Sequence, residues 1–585
     1  MSVCSTRSCA RAYKMPLVTA ALALSSTLLL VAAAGDVDET FGTLGQVKTH
    51  FYSGFDAASA VAVQGDGKIV AAGFADDADF TPRLALARYD ANGTLDPAFG
   101  SGGKVTIDLG IASSVRVDLA IDAAGRIVVV GTVTRDPLLP TDVGVARLTP
   151  GGTLDATFGV GGTVTTDVAG FADEGNSVAI QSDGKIVVGG TARSTGALLG
   201  AADFAVIRYN PDGSLDASFD GDGKVTTDFF GFDDRGNGVA IQTDGRIVVA
   251  GTAKPANDTS DFGVVRYDAN GTLDTTFDGD GLSLTDIAGD WDEGNAVAIQ
   301  PGDGHIVVVG GAIVPNAVGW FHDFALIRYD TNGTLDPGFG AGGKVITDFS
   351  GGDDMGADVV IAGDGRIVAA GWVADPADVE LLIDFGVARY ESTGALDATF
   401  GAAGTVITDL GHIDYGQGVA LQGDCKIVVA GWSWPAETGD GAFGLVRYDG
   451  DNCVSQAPST CPRTQGYWQA HPDAWPVTSL TLGSETYTKE QLHALLASPT
   501  RGDASIVLAQ QMIAALLNIA NGSDPTPVAG TLVHANALFN GFIGKLPYSV
   551  KSSTTTGQAM VADAVLLELY NTGAATGCVD ASPSH

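Results

Sequence analysis

Three short motifs recur seven times each, always in the same order, and this periodicity constrains the fold more than any other property of the chain. The first is hydrophobic-Asp-x-x-Phe, with its acid at Asp38, Asp96, Asp155, Asp216, Asp274, Asp336 and Asp397, spaced by 58 to 62 residues. The second resembles Asp-Gly-Lys-Ile-Val-Val-Ala-Gly and starts at Asp66, Ala124, Asp183, Asp244, Asp303, Asp364 and Asp424. The third resembles Phe-Ala-Val-Ile-Arg-Tyr and ends at Tyr89, Leu148, Tyr209, Tyr267, Tyr329, Tyr390 and Tyr448. The second unit departs from the pattern twice, with Ala123-Ala124-Gly125 at its turn and Leu148 in place of Tyr.

Within one unit the pattern reads as four strands. In the third, Val178–Gln181 is a short apolar run and Ser182-Asp183-Gly184 is a hairpin turn, where Gly supplies the positive φ. Lys185–Gly189 is β-branched, Phe204–Tyr209 alternates, and Lys224–Phe229 forms the fourth run. Four antiparallel strands per unit predict an all-β, seven-bladed propeller. A solenoid would need distinct polar caps at its ends, whereas the end units here look like the middle ones. With Val419–Gln422 as an innermost strand, the last unit has no outer strand of its own. Gln46–Phe51 is predicted to fill that place and close the ring, removing exposed sheet edges.

The order Val-Ala-Ile-Gln, Asp-Gly-Lys, Ile-Val-Val-Ala-Gly, Arg-Tyr resembles the blade of NHL-type propellers, and end-to-end closure resembles that of WD-repeat proteins. Together with Leu-Asp-x-x-Phe-Gly, the repeats at residues 36–450 resemble the bacterial delta-60 repeats. That resemblance implies a propeller in an exported or surface protein and implies no defined reaction.

Residues 1–34 read as a signal peptide: basic Arg7, Arg11 and Lys14, an apolar run Leu17–Leu30, then Ala32-Ala33-Ala34. The expected divisions are therefore 1–34 signal, 35–450 propeller, 451–462 linker and 463–585 helical domain. No later stretch is long and apolar enough to span a bilayer. A secreted, extracellular or cell-envelope location is expected, with the chain a monomer. The net charge of −38 disfavours nucleic acid and anionic lipid as partners. It suits solubility or cation binding. Cys425, Cys453, Cys461 and Cys578 would remain after export. Placing Cys425 and Cys453 on one edge of the last unit predicts a Cys425–Cys453 bridge, leaving Cys461–Cys578 to clasp the C-terminal domain.

Candidate ligand-binding residues fall in two loop classes of one face. Asp56, Asp173, Asp234, Asp292, Asp354 and Asp414 recur between outer and next inner strands, placed by this register near the channel mouth; Trp291 lies in the same class. Trp320, Trp372, Trp432 and Trp434 lie in the other class. Tryptophan stacks on the C–H face of sugars while carboxylates accept hydroxyl hydrogen bonds, so a glycan fits; a cationic peptide or protein fits through cation–π contact. The same acids could instead cap turns, and the Trp could fill gaps between blades. No catalytic residue is assigned, since no nucleophile elbow, zinc motif or P-loop is present. An exported carbohydrate hydrolase or lyase, or a purely structural envelope protein, are the alternatives to a binding module. No cofactor is established. Calcium stays open, although Asp220-Gly221-Asp222-Gly223 lacks the further ligands of an EF-hand loop.

Beyond Ser455-Gln456-Ala457-Pro458 the pattern turns helical, over Lys489–Ala497, Ala504–Asn521, Val528–Ile543 and Gly557–Tyr570. The entry Thr464-Gln465-Gly466-Tyr467-Trp468-Gln469-Ala470-His471-Pro472 resembles an uncharacterised C-terminal module of exported bacterial proteins. On one helix Tyr467, His471 and Trp475 would share a face, either as an aromatic core or as a ligand site. Asp503, in Arg501-Gly502-Asp503, is expected to serve the first turn of a helix.

Overall fold

The computed structural model describes residues 33–572, apart from 111–115, 135–139, 195–200, 256–258, 316–318, 375–381, 412, 435–439, 451–462, 476, 478 and 521–527. The first strand, β1, is Gln46–Thr49. Next come β2 (Asp56–Val63), β3 (Ile69–Asp76), β4 (Pro82–Tyr89) and β5 (Lys104–Ile107), paired in chain order as one antiparallel sheet. Residues 117–166, 173–227, 235–285 and 292–347 form four further sheets of the same kind. The remaining strands make one sheet of eight. It holds four strands over residues 354–408, then Ile413–Leu421, Ile427–Trp434, Ala442–Tyr448 and finally β1. Among the described residues, its two halves are joined as a sheet by the parallel pair Ile383 with Ile413.

The inner strands touch in succession, from β2 against Val117–Ile121 around to Ile413–Leu421, which returns to β2. The predicted closure is present: β1 runs antiparallel to Ala442–Tyr448, from Gln46 opposite Val446 to Thr49 opposite Phe443.

The repeat motifs now have causes. In each of the seven units the motif Arg lies against the motif Asp and over the motif Phe. Arg208 Nε donates to Asp216 Oδ2 at 2.8 Å, and its guanidinium sits 4.6 Å above the Phe219 ring. A buried guanidinium needs such a partner, because an uncompensated buried charge is costly. Arg208 Nη1 also donates to the Ala269 carbonyl of the following blade, tying neighbours together. At the last unit, Arg447 takes Asp38 and Phe41 from the N-terminal segment and donates to the Ala91 carbonyl of the first. The first Asp-x-x-Phe motif thus belongs structurally to the last blade.

The motif Tyr makes a second tie across each seam. Tyr209 donates to Thr166 Oγ1 of the preceding outer strand, and Tyr89 donates to Thr49 of β1. Leu148 breaks the motif, and the residue at the partnering position is Ile107; both lie in one apolar cluster. The Gly that ends Val-Val-Ala-Gly is required by a bulge. Between Gly236 and Gly238 the inner strand shifts register, and a Cβ on Gly251 would stand 1.8 Å from the Arg235 carbonyl oxygen.

Cys425 holds the left-handed turn position that Gly occupies in most other units, at φ +66°. Cys453, Cys461 and Cys578 lie outside the described residues, as does most of the signal segment.

The C-terminal residues form helices α1 (Gln465–Ala470), α2 (Lys489–Leu496), α3 (Ala504–Ala520), α4 (Ala529–Asn540) and α5 (Thr555–Asn571). Four match the periodic runs. The sequence reading missed the hairpin Ser479–Leu482 with Glu485–Thr488, whose strands are only four residues each. Tyr467, His471 and Trp475 do not share one helix, because α1 ends at Ala470 and a short 3-10 turn follows. His471 is exposed and stacks on Tyr467 at 4.4 Å, while Trp475 and Trp468 enter the core. Trp468 Nε1 donates to Asn518 Oδ1. Asp503 accepts from Ser505, Ser549 and Val550, so it fastens the start of α3 to a distant turn. Among the described residues, no helix is long and apolar enough to cross a membrane.

Candidate functional site

The channel along the ring is polar and narrow. Ser59, Asn176, Asn237, Asn295 and Gln417 line it from equivalent positions, with Arg116, Asp118 and Asp358. Arg116 comes from the second blade and crosses the channel to donate to the Asn295 carbonyl and to Asn295 Oδ1, at 3.1 and 2.6 Å. Asp118 Oδ2 accepts from Val178 N of the next blade, and Asp358 Oδ2 accepts from Val419 N. Ser177 does the same for Val239 N. Burial pushes Asp358 up to about 7, and the nearby Asp118 adds to the rise.

The six recurrent acids stand differently from the expectation. Asp56, Asp173, Asp234, Asp292, Asp354 and Asp414 are each 0% exposed, so none opens onto the channel mouth for a ligand. Each lies at or next to the start of an inner strand and folds one oxygen back onto the preceding loop: Asp234 Oδ2 accepts from Phe229 N, and Asp354 Oδ2 accepts from Phe349 N. The turn-capping alternative therefore describes one oxygen of each, and both oxygens of Asp234, whose Oδ1 accepts from Lys254 N.

Five of the six also meet further acids that sequence reading did not single out. Asp323 lies within a third strand, Asp348 follows the outer strand of the same blade, and Asp354 opens the next blade's inner strand. One carboxylate oxygen from each lies within 4.8 Å of the others, and the same holds for Asp203, Asp228 and Asp234, and for Asp261, Asp286 and Asp292. Asp142, Asp167 and Asp173 repeat the arrangement, as do Asp384, Asp409 and Asp414. The signal was present in the sequence, since 25 residues separate the first two acids of every trio. Burial holds Asp354 up at about 8 and Asp323 at about 6, with neighbouring carboxylates adding to both shifts.

The tryptophans divide into two groups. Trp291, Trp320 and Trp434 are exposed, at 51%, 65% and 42%. Trp372 and Trp432 are half-buried, because they belong to an aromatic run crossing three blades. Trp372 packs edge-on to Tyr415 at 5.2 Å, Tyr415 stacks on Trp432 at 4.5 Å, and Trp432 meets Phe55 at 5.2 Å. Phe55 also contacts Trp434 at 5.8 Å. Tyr415 and Phe55 were not singled out in the sequence because neither lies in the tryptophan-bearing loop class. Trp291 borders a separate groove of about 320 Å³ with Arg116, Asp233, Arg235, Lys254 and Glu293.

The family described as "Domain of unknown function (DUF5122) beta-propeller" matches residues 64–99, 125–158, 181–219, 242–277, 302–339 and 362–400. No curated protein matches the sequence. Among solved structures, an ulvan lyase bound to a glucuronate–sulfated rhamnose unit aligns at TM-score 0.36 and 11% identity, over 71% of this chain and 94% of its own. Sqt1 of Chaetomium thermophilum, bound to the N-terminus of a ribosomal protein, aligns at TM-score 0.37 and 11% identity, over 69% and 99%. An α-L-arabinofuranosidase of Fusarium graminearum aligns at 0.34 and 10%, over 57% and 92%. These scores carry nothing about ligand or activity to this chain. The strand order and the family match make the chain a β-propeller repeat protein with a helical C-terminal segment.

Proposed function

We propose that the chain is an exported, cell-surface or secreted binding protein: a seven-bladed propeller of the delta-60 type, acting as a monomer. The aromatic run Trp372–Tyr415–Trp432–Phe55–Trp434 receives a glycan or an extended peptide. That run carries the reading. Its rings are fixed by one another and by the blades beneath, so little side-chain entropy is lost when a ligand stacks on the open edges. Sugar rings and cationic side chains both pack on such surfaces. Binding is favoured over catalysis because the recurrent acids are enclosed in the seams. Reduced and non-reduced peptide maps are expected to show Cys425–Cys453 pinning the last blade; a Cys453–Cys461 bridge would overturn that pairing.

Glycan and peptide arrays probed with the mature chain test the main reading. Single replacements Trp372→Ala, Trp432→Ala and Trp434→Ala should each weaken the retained ligand at least tenfold, with circular dichroism unchanged. Undiminished binding by all three would overturn it.

A further inference from the structure

We propose that the seams between neighbouring blades bind divalent cations of the calcium class, with Asp323, Asp348 and Asp354 as the leading site and Asp261, Asp286 and Asp292 as its repeat.

Three observations converge on this. The carboxylates of each trio come from three separate places in two blades, yet one oxygen of each falls within 4.8 Å of the other two. Three like charges so close repel strongly unless a cation or protons stand among them. Second, Asp354 is 0% exposed, and its Oδ1 has no hydrogen-bond partner although its Oδ2 is satisfied by Phe349 N. Asp292 Oδ1 is orphaned in the same way in its own trio. A buried carboxylate oxygen without a donor is unusual, and a hard cation is the ligand that such an oxygen takes.

The third observation is what happens where the trio is interrupted. In the first blade the third-strand acid is replaced by Arg83, and the following Asp108 pairs with it at 2.6 Å. At the ring closure, Ala442 and His50 stand where the first two acids would be. The chain thus keeps three acids, supplies its own cation, or removes charge. Beside other trios a lysine ammonium is tied to the main chain: Lys344 donates to the Asp286 carbonyl and Lys48 to that of Leu410. At the positions equivalent to Lys344, the Asp203 and Asp323 trios face Leu282 and Thr405. Of the two, the Asp203 trio has its inner oxygen engaged, since Asp234 Oδ1 accepts from Lys254 N at 2.9 Å, so the Asp323 seam is ranked first.

The middle acid of each trio, Asp228 or Asp348, is exposed while Asp354 and Asp234 are buried. An ion would enter from solvent past the exposed carboxylate and complete its shell with water and main-chain carbonyls, as oxygen-seeking Ca²⁺ does. This inference is independent of any ligand on the aromatic run.

The test is equilibrium dialysis of the full mature chain, stripped with chelator, against CaCl₂ alone, with bound calcium counted by mass spectrometry. At least two ions per chain are expected at millimolar calcium, with the melting temperature several degrees above that in chelator. Asp354→Asn with Asp348→Asn should remove one ion, and adding Asp292→Asn with Asp286→Asn a second. If the double variants fail to fold, Asp348→Asn alone, at the exposed acid of the trio, should remove the same ion. Binding of no calcium by the stripped wild-type chain, or an unchanged count in folded Asp variants, overturns the proposal.

Discussion

The seam between the first and second blades and the seams that follow are built on one plan with different residues. In a regular seam a Tyr hydroxyl meets a Thr, as Tyr267 meets Thr227. Three acids gather nearby, and a Ser receives the amide of the next inner strand. Around the second blade, Leu148 and Ile107 replace the Tyr and Thr, Arg83 replaces an acid, and Asp118 stands for the Ser. The changes come in matched pairs: an apolar residue opposite an apolar residue, a cation opposite an acid. A repeat position is thus constrained by its partner across the seam more than by the repeat average.

Arg447 performs at the ring closure what Arg208 performs mid-ring. Arg447→Ala leaves the buried Asp38 with Lys426 as its remaining cation and removes the donor to the Ala91 carbonyl, and should lower unfolding free energy by about 3 kcal/mol in urea titrations. If Arg208→Ala costs far more than Arg447→Ala, the closure is weaker than its geometry indicates.

The acid-for-serine exchange in the channel gives a pH test. Asp358, facing Asp118 and Arg116, has its ionisation raised to about 7. The native state therefore holds a proton that the unfolded chain gives up above the ordinary carboxylate range. Stability should rise as pH falls from 8 to about 5 and be lost as pH climbs through 7. Asp358→Ser, the choice at Ser177, should flatten that slope by about 2 kcal/mol, read from melting temperatures at pH 5.5 and 8.

Pair matching is sharpened by Leu148→Tyr, which buries a hydroxyl opposite Ile107. It should cost about 1–2 kcal/mol, and Ile107→Thr in the same chain should recover most of it. Additive losses would mean the two positions are not coupled. The smallest effect is expected at a regular seam, where Tyr267→Phe removes one hydrogen bond worth about 1 kcal/mol.

The blades and the closing strand were legible in the sequence because strand periodicity and turn residues are local signals. β1 came out at Gln46–Thr49 against an expected Gln46–Phe51. The Arg–Asp–Phe contacts were not read, although all three residues were noted, because their meeting depends on strand pairing. The acid trios were missed for the same reason: Asp323 and Asp354 are far apart in the chain and adjacent only across a seam. The placement of the inner acids failed because a register gives the end of a strand at which a residue sits, and leaves open whether the neighbouring blade covers it. The short hairpin before α2 offered too few residues to show alternation.

Asp38 and Arg447 are 409 positions apart. Joining such distant segments costs roughly 5 kcal/mol of chain entropy beyond a constant, and the earliest-made strand must stay available until the latest-made one exists. Until then Ala442–Tyr448 is a raw edge able to pair with another molecule. A linear array can shed an end unit and keep the rest. This ring has no end unit to shed, so a nick or a truncation at either terminus of the propeller is felt by every blade.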